Sequence, residues 1–330
     1  MTARLRTTPE DFRVDEVPLY APTGEGNHTF VRIEKRLRTT EEVARDLARA
    51  AGVSARDVGY AGRKDRRAVA TQWFSVPVLD PERALALALR GARVLEAARH
   101  PHKLRTGQLR ANRFDLVVRD VDAAACAAAE TRLAEAIARG FPNRFGGQRF
   151  GRDGRNVEHA QRMLRGESVP GGRRAARFLL SALQASVFNA VLAARSAPPH
   201  RLERGDVAVR HDSGGLFLVE DEVLEAPRAE AFEISPTGPI FGTRSLEPAG
   251  AVAERERAVL AQHGVDLARL FPPRGIRLRG GRRALRARPE DALLTRGADH
   301  VRLCFTLPSG SYATVLIEEL LGADLAEGFE

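Results

Sequence analysis

The first 120 or so residues alternate runs typical of strands with patterns typical of helices, and this alternation limits the fold more than any other feature of the sequence. Strand-like runs lie at residues 12–17, 28–35, 69–76, 92–97 and 113–119. Helical patterns lie at residues 40–51, 81–90 and 123–139. Thr39 and Glu42 form a capping box ahead of the first helix, and Gly52 ends that helix. The pattern predicts a mixed α+β domain.

The chain is long enough for a second domain, because 330 residues exceed what one hydrophobic core usually organises. The Gly140-Phe141-Pro142 step is a natural boundary. Beyond it the sequence predicts long helices, with a turn before the last of them and a strand near the end of the chain. In order, we predict a helix at 177–195, a turn at 235–239, a helix at 251–262, a strand at 301–307 and a strand or helix at 312–321.

The charge balance favours a polyanionic partner without proving one. The chain has 52 Lys plus Arg against 43 Asp plus Glu, a net charge of +9. Only Lys35, Lys64 and Lys103 are lysines, so the basic residues are almost all Arg, and such a bias can also reflect codon usage. Lys64 stands out because a compact ammonium and a planar guanidinium are not interchangeable.

Cysteine usage and hydropathy limit the setting in which the chain works. Cys126 and Cys304 are the only cysteines, which predicts neither a disulfide framework nor a cysteine-based metal site. A reducing cytoplasm fits this composition. We see no apolar run of the roughly 18 residues that a membrane span needs, so we expect no membrane association.

The segment at residues 59–74 is the strongest candidate for chemistry. It sets Asp65 among four basic side chains and follows it with a β-favouring run, so Asp65 is expected in a loop that precedes a strand. Nearby cations favour the ionised form of a carboxylate, which can then act as a nucleophile or base without a metal. The alternative is a surface carboxylate in a solvated salt-bridge loop.

The run Ala61-Gly62-Arg63-Lys64-Asp65 resembles the A-G-x-K-D block of the TruD family of tRNA pseudouridine synthases. Four further blocks, at residues 143–151, 181–189, 237–242 and 307–314, resemble that family's motifs in the same order. The resemblance implies a catalytic α+β domain with an antiparallel sheet, interrupted by a family-specific TRUD insertion domain. We expect the catalytic domain at residues 1–137 and 286–330 and the insertion at residues 138–285.

The resemblance also implies an activity, the isomerisation of uridine-13 of tRNA to pseudouridine, with tRNA as partner and with no cofactor or metal. The N1–C1′ bond of the nucleotide breaks and the base rejoins through C5. Asp65 would be the catalytic residue, either as nucleophile at C1′ or as base at C2′; the sequence leaves both routes open. No P-loop, dinucleotide glycine fingerprint or zinc-spaced Cys/His cluster is present to suggest another chemistry.

The family's other functional positions fall on six residues of this chain. Phe12, Asn112 and Tyr312 would contact the target nucleotide. Phe114 would lie against the uracil, and Lys64 and Arg6 would support the charge of the catalytic carboxylate. Read without the resemblance, each Phe fits ordinary core packing and Asn112 fits a turn before a strand. Tyr312 stands where the family commonly has Phe, and its hydroxyl needs a polar partner or water.

Two rival functions remain open. A non-catalytic RNA-binding or RNA-folding protein would use the same basic surface and be indifferent to Asp65. A metal-dependent nuclease would need clustered carboxylates, of which the basic block has one. Two secondary features carry expectations of their own: a solvated, RNA-facing loop rather than a metal site at His100-Pro101-His102, and seven arginines at residues 274–288 that either track phosphates or form a solvated face.

Overall fold

The computed structural model describes residues 3–167, 169, 171–243, 245–267, 275–276, 278–322 and 325–327, with the backbone alone at residues 152 and 327. The chain divides into two compact units. Unit 1 comprises residues 1–137, 289–313 and 317–330, and unit 2 comprises residues 138–288 and 314–316. The division falls near the expected insertion at residues 138–285, and its equation with the family's insertion domain stays a prediction.

Unit 1 is built on a sheet of ten strands among the described residues. The strands of unit 1 that precede unit 2 in the sequence are β1 (Arg4–Leu5), β2 (Phe12–Pro18), β3 (His28–Arg36), β4 (Gly59–Tyr60), β5 (Val69–Pro77), β6 (Ala92–His100) and β7 (Leu109–Arg119). After unit 2, the sheet of unit 1 is completed by β14 (Glu290–Arg296), β15 (His300–Pro308) and β16 (Ala326–Glu327).

The sheet is mostly antiparallel, as predicted. Its main order is β14-β15-β7-β2-β5-β3-β6, with β1 beside β7 and β16, and β4 beside β5. The pairs β2–β5 and β1–β16 are parallel. The parallel pairing of β2 with β5 places Val14 opposite Ala70, so the first residues of β5 lie beside the middle of β2. The end of the loop that carries Asp65 is thereby held at the centre of the sheet.

The helices described in unit 1 lie at the positions of the predicted helical patterns. They are α1 (Thr40–Ala51), α2 (Pro81–Leu85) and α3 (Ala123–Arg139), while α8 (Ala313–Leu321) has residues in both units. The predicted capping box is confirmed, because Glu42 N donates to the Thr39 side chain and Thr39 N donates to Glu42. Gly52 ends α1 in the left-handed conformation, as predicted. Helix α2 is shorter than the predicted 81–90, since the chain leaves helical geometry to pack further apolar side chains on the core.

Strand β5 is the centre of the unit 1 core. Its residues are buried on both faces except for the last, Pro77. Phe74 packs with Val31 and with Leu47 of α1, while Trp73 packs with Phe30 on the opposite face. The sequence accordingly has apolar, β-favouring residues on both faces of this strand, with Thr71, Gln72 and Ser75 as buried polar exceptions.

Gly59 of β4 shows how closely the chain approaches the segment before β7. A Cβ at this position would lie 2.2 Å from Leu104 O and 2.4 Å from Ser75 Oγ. Ser75 Oγ itself accepts a hydrogen bond of 2.8 Å from Leu104 N. Only glycine fits here, and the contact fixes the start of the loop that leads to Asp65.

Unit 2 contains a second set of elements. Its strands are β8 (Phe141–Pro142), β9 (Val207–Arg210), β10 (Leu216–Leu218), β11 (Ile234–Ile240), β12 (Gly281–Ala284) and β13 (Arg286–Ala287), and its helices are α4 (Arg155–Leu164), α5 (Gly172–Ala193), α6 (Glu222–Glu230) and α7 (Gly250–Gln262). The strands form a sheet ordered β10-β9-β11-β12 and the pair β13-β8. Helix α5 is long and apolar enough to cross a membrane by composition alone, but its apolar side chains form much of the unit 2 core, as in a core helix.

The predicted turn at residues 235–239 is wrong, because these residues lie inside the buried strand β11. The strand pairs with β9 over its first residues and with β12 over its last. Pro236 lies in the half paired with β9 and Pro239 in the half paired with β12, so each proline has a strand partner on one side only. A proline is tolerated where its missing N–H faces away from the ladder.

The arginines predicted to track phosphates or form a solvated face are partly structural. The side chain of Arg282 is 1% exposed and forms an ion pair of 2.7 Å with Glu256. Arg286 is 2% exposed and donates to the carbonyl oxygens of Arg139, Ala229 and Ile234. Both expectations are wrong for these two residues, since their polar atoms are satisfied inside unit 2. Arg274 and Arg277 lie outside the described residues.

Candidate active site

The loop between β4 and β5 presents Asp65 with both carboxylate oxygens held. Oδ2 lies 3.1 Å from Arg6 Nη2, and Oδ1 accepts a hydrogen bond of 3.0 Å from Arg67 N. The Arg6 side chain is 5% exposed, whereas that of Asp65 is 28% exposed. A buried cation thus fixes a carboxylate that remains accessible to a substrate. This is the geometry that a positioned nucleophile or base requires.

Arg6 is carried to this point by an unusual backbone conformation and a tight turn. Its φ is 62°, a region that non-glycine residues rarely adopt. The 3₁₀ turn Pro9–Asp11 follows, in which Thr8 N donates to Asp11 Oδ2, and Arg119 of β7 binds the Asp11 carboxylate through two nitrogens at 2.7 and 3.0 Å. The turn delivers the chain into β2, whose first residue is Phe12. Strain held by such contacts is common at functional sites.

A buried polar network supports the loop from beneath. Thr40 Oγ1 accepts a hydrogen bond of 3.0 Å from Lys64 N and donates one of 2.7 Å to Gln72 Oε1. Gln72 Nε2 in turn donates to Gly62 O at 3.1 Å. Thr40 and Gln72 have no exposed surface. Because every member of this network is bonded, it fixes one conformation of the segment ahead of Asp65.

Lys35 of β3 lies on the buried side of the same loop. It has no exposed surface, and Nζ donates to Asp65 O at 2.6 Å and to Arg38 O at 2.8 Å. Burial lowers the pKa of Lys35 from 10.5 to about 8, while the negative charge of Asp65 opposes that change. The catalytic candidate is therefore bonded through its main chain to a buried amine.

Lys64, the predicted supporting charge, points to a different carboxylate. Its Nζ lies 2.9 Å from Glu16 Oε2 and donates to Asn112 Oδ1 at 2.5 Å. Glu16 Oε1 accepts a hydrogen bond of 3.2 Å from Trp73 N, and its side chain is 1% exposed. Direct contact with Asp65 is made by Arg6, so the role predicted for Lys64 beside Asp65 stays a prediction. What its ammonium does in the structure is to hold the Asn112 amide.

Three aromatic rings border the site. Phe12 and Phe114 meet edge to face with centroids 6.1 Å apart, and Phe114 lies 5.4 Å from Phe305. The Arg6 guanidinium lies 4.2 Å above the Phe12 ring, which links this cluster to Asp65. Phe12 and Phe114 are 5% and 7% exposed, so both are core residues as well as neighbours of the site.

Asn112 and Tyr312 belong to neighbouring parts of unit 1. Asn112 pairs with Glu16 of β2 and with Leu307 of β15. Tyr312 is the N-cap residue of α8 and is half-buried. The turn that leads to it is tied to β7, since Ser309 N donates to Arg110 O at 3.2 Å. The nucleotide contacts assigned to both residues by the resemblance stay predictions.

Four residues that sequence reasoning missed help to build this site: Glu16, Lys35, Thr40 and Gln72. Glu16 had a signal, because Phe12, Val14 and Glu16 occupy the buried positions of an alternating strand. A carboxylate on the apolar face of a strand requires a buried partner. Lys35 also had one, as a rare lysine in an arginine-rich chain.

The histidine pair in the His100-Pro101-His102 segment is not a solvated loop throughout. His100 ends β6, is 7% exposed and stacks on Tyr20 with ring centroids 5.1 Å apart. Burial lowers the pKa of His100. The expectation of a solvated loop is wrong for this residue and holds for the exposed His102. Over the described ranges, no three His, Cys, Asp or Glu side chains are grouped closely enough to hold a metal ion.

Comparison with known proteins gives one consistent result. The sequence matches the family model described as tRNA pseudouridine synthase D (TruD) over residues 1–169 and 172–320. A tRNA pseudouridine synthase D from Anaeromyxobacter sp. (strain Fw109-5) is 48% identical over 99% of this chain and 95% of the relative. One from Thermus thermophilus is 40% identical over 99% and 90%, and one from Geobacter metallireducens is 39% identical over 96% and 94%.

The fold is similar to a solved structure. A crystal structure from Methanosarcina mazei, described as a putative tRNA pseudouridine synthase D (TruD), superposes with a TM-score of 0.75 over 98% of this chain and 94% of that chain. The two sequences are 22% identical, so this likeness concerns the fold alone.

Proposed function

The chain belongs to the TruD family of tRNA pseudouridine synthases, and on that premise we propose that it isomerises uridine-13 of tRNA with Asp65 as the catalytic group. The observation that carries the proposal is the Asp65 carboxylate, accessible at 28% and held by the buried Arg6 at 3.1 Å beside the Phe12 and Phe114 rings. An anion fixed next to aromatic planes suits an unstacked nucleotide.

The reaction breaks the N1–C1′ bond and forms a C5–C1′ bond, while the hydrogen of C5 leaves and N1 gains a proton. Asp65 acts either by attacking C1′, so that the sugar is held as an ester, or by removing the C2′ hydrogen, so that a glycal forms. On either route the base stays bound while it turns. No atoms are gained or lost, so no cofactor is needed for the balance.

The remaining side chains have distinct parts in the proposal. Arg6 keeps the carboxylate in place and compensates its charge. Phe114 and Phe12 lie against the base, and Tyr312 adds a further aromatic plane. Asn112, whose Oδ1 accepts from Lys64, offers its amide hydrogens to a carbonyl oxygen of uracil. Lys64 therefore supports the site through Asn112 as well as through its charge.

The substrate class and the location follow from the same premise. The net charge of +9 suits tRNA phosphates, and binding should weaken steeply with salt. Cys126 and Cys304 are both free thiols, which fits a reducing compartment, and we include the cytoplasm in the proposal.

The test is to incubate the purified protein, without added metal or cofactor, with an unmodified tRNA transcript that has uridine at position 13. Pseudouridine is then mapped by carbodiimide labelling and primer extension. We expect a stop assigned to uridine-13 with the wild type, none with Asp65→Asn, and an unchanged stop with Asp57→Asn. Asp57 is the matched control, because it is an exposed aspartate that lies just before β4, the strand that leads into the Asp65 loop.

Each other outcome has a definite meaning. A stop at a different uridine would refute the position but keep the reaction. Full activity of Asp65→Asn would refute the catalytic residue. Tight, salt-sensitive tRNA binding without pseudouridine, on this and other RNA substrates, would favour a non-catalytic RNA-binding protein instead.

A further inference from the structure

We infer that Lys35 is a positioning residue for Asp65. The buried Lys35 ammonium fixes the Asp65 main chain and places a positive charge behind the carboxylate. The inference rests on the proposed function, because it takes Asp65 as the catalytic group. Lys35 itself does not touch the substrate, since its whole side chain is enclosed by protein.

The geometry of Lys35 joins three parts of the unit 1 fold. Its main chain lies inside the sheet, opposite Ala70 of β5 and Ala92 of β6. Its Nζ bonds to Arg38 O, just ahead of α1, and to Asp65 O in the catalytic loop. One amine therefore fixes the distance between the sheet, the start of the helix and the loop. A shift of about 1 Å at a reacting group can cost on the order of a hundredfold in rate.

Burial makes the Lys35 ammonium costly to keep, and the charges around it offset that cost only in part. Asp65 and Lys64 face it from the loop, and Glu41 and Glu42 face it from α1; the three carboxylates favour the ammonium and Lys64 opposes it. Both bonded partners are neutral carbonyl oxygens, so they do not cancel the charge. A buried ammonium of this kind is rare unless something in the site uses its field.

The identity of the residue supports the same inference. The chain has 52 basic residues, and only Lys35, Lys64 and Lys103 are lysines. Two of the three lie at the Asp65 loop, while Lys103 is bonded to Arg56 O elsewhere in unit 1. A compact ammonium can approach two carbonyl oxygens in an enclosed space, whereas a guanidinium needs a wider, planar site.

The inference predicts a dependence of the rate on pH. Since the pKa of Lys35 is about 8, the ammonium loses its proton as the pH rises through that value. The neutral amine still donates hydrogen bonds but no longer supplies a charge. The rate of isomerisation should therefore fall above about pH 8, with tRNA binding unaffected.

The experiment compares single-turnover rates and tRNA affinity for the wild type, Lys35→Met, Lys35→Arg and Lys103→Met from about two pH units below the Lys35 pKa to about two above it. Lys103→Met is the matched control, because it also removes a bond from a lysine to a carbonyl oxygen. We expect Lys35→Met to be slower by on the order of a hundredfold, with unchanged affinity and with no fall in rate at alkaline pH. Lys35→Arg, where it folds, should keep part of the rate and also lack the fall, because a guanidinium stays charged.

The outcomes separate this inference from the proposed function. An inactive wild type refutes the function. An active wild type together with a Lys35→Met rate close to it, and the same pH profile in both, overturns the role of Lys35. If circular dichroism shows that neither Lys35 variant folds, the wild-type profile decides: a rate that does not fall as the pH rises through about 8 overturns the inference.

Discussion

The ion pair between Glu16 and Lys64 provides the most direct test of how the site is held together. Both side chains are almost fully enclosed, at 1% and 6% exposed, and the two charged atoms lie 2.9 Å apart. Glu16 also accepts a bond from Trp73 N, and Lys64 also donates to Asn112. The perturbation is to remove one charge, by Lys64→Met or Glu16→Gln, and then both together.

The expected magnitudes follow from this burial. Removing one partner leaves the other charge uncompensated, which costs about 3–5 kcal/mol of unfolding free energy. The double variant removes both charges, and its cost should be well below the sum of the two single costs. The amide oxygen that Glu16→Gln introduces can still accept the bond from Trp73 N. We expect a favourable coupling energy of about 2 kcal/mol from the double-mutant cycle.

The assay uses the intrinsic fluorescence of the protein. Trp73 is the single tryptophan of the chain, is 6% exposed and is bonded to Glu16 itself. Urea unfolding followed by its fluorescence therefore reports on the sheet of unit 1. Lys103→Met should lie within about 0.5 kcal/mol of the wild type, as expected for a surface change.

One result would refute the reasoning. If Lys64→Met and Glu16→Gln each cost less than about 1 kcal/mol and their effects add, the pair behaves as a solvated surface pair. The Asn112 amide would then have no fixed orientation from Lys64. In that case Lys64→Met should also leave the rate of isomerisation unchanged.

Three further predictions concern single positions. Gly59→Ala places a Cβ 2.2 Å from Leu104 O, so we expect a loss of about 1–3 kcal/mol in the Trp73 transition, and an unchanged urea midpoint would contradict the close approach. Arg286→Met removes one donor from each of the carbonyl oxygens of Arg139, Ala229 and Ile234, so circular dichroism should show a thermal midpoint lower by several degrees; an equal or higher midpoint would argue against this role. The pKa of Lys35 is lowered from 10.5 to about 8, so between these pH values the unfolded chain holds a proton that the folded chain has lost. The unfolding free energy of the wild type should therefore rise by up to about 3 kcal/mol relative to that of Lys35→Met as the pH rises from about 8 to about 10.5. Parallel profiles of stability against pH for the two proteins would disprove this prediction.

Local patterns predicted the unit 1 elements well because burial and periodicity agree there. The apolar run of β5 and the capping box of α1 are signals that the chain itself carries. The position of Asp65 in a loop ahead of β5 followed from the same signals. Resemblance to the family's motifs, rather than periodicity, singled out Phe12 and Asn112.

The wrong predictions have a common physical cause: residues that usually face solvent are enclosed here by groups distant in sequence. Taken alone, Pro236 and Pro239 predict a turn. In the structure each proline lies in β11 at a position where that strand pairs with a neighbouring strand on one side only, so the missing N–H is tolerated. Arg286 and His100 are polar residues that usually face water, and each is enclosed by groups distant in sequence. The roles of Glu16 and Lys35 likewise depend on contacts across the sheet, which no local window of sequence contains.

The pairing of β8 with β13 has a consequence for how the chain folds during synthesis. Strand β7 must find β15 across the whole of unit 2, so the sheet that supports Asn112 and Phe114 stays incomplete until the final strands have been made. Unit 2 shortens that search once it has folded, because Arg286 pairs with Pro142 and brings its entering and leaving segments together. The loop between β7 and β15 is thereby reduced from about 180 residues to about 35, which saves on the order of 1.5 kcal/mol of closure entropy. The sheet of unit 1 should therefore assemble last, after the folded unit 2 has shortened the chain that separates β7 from β15.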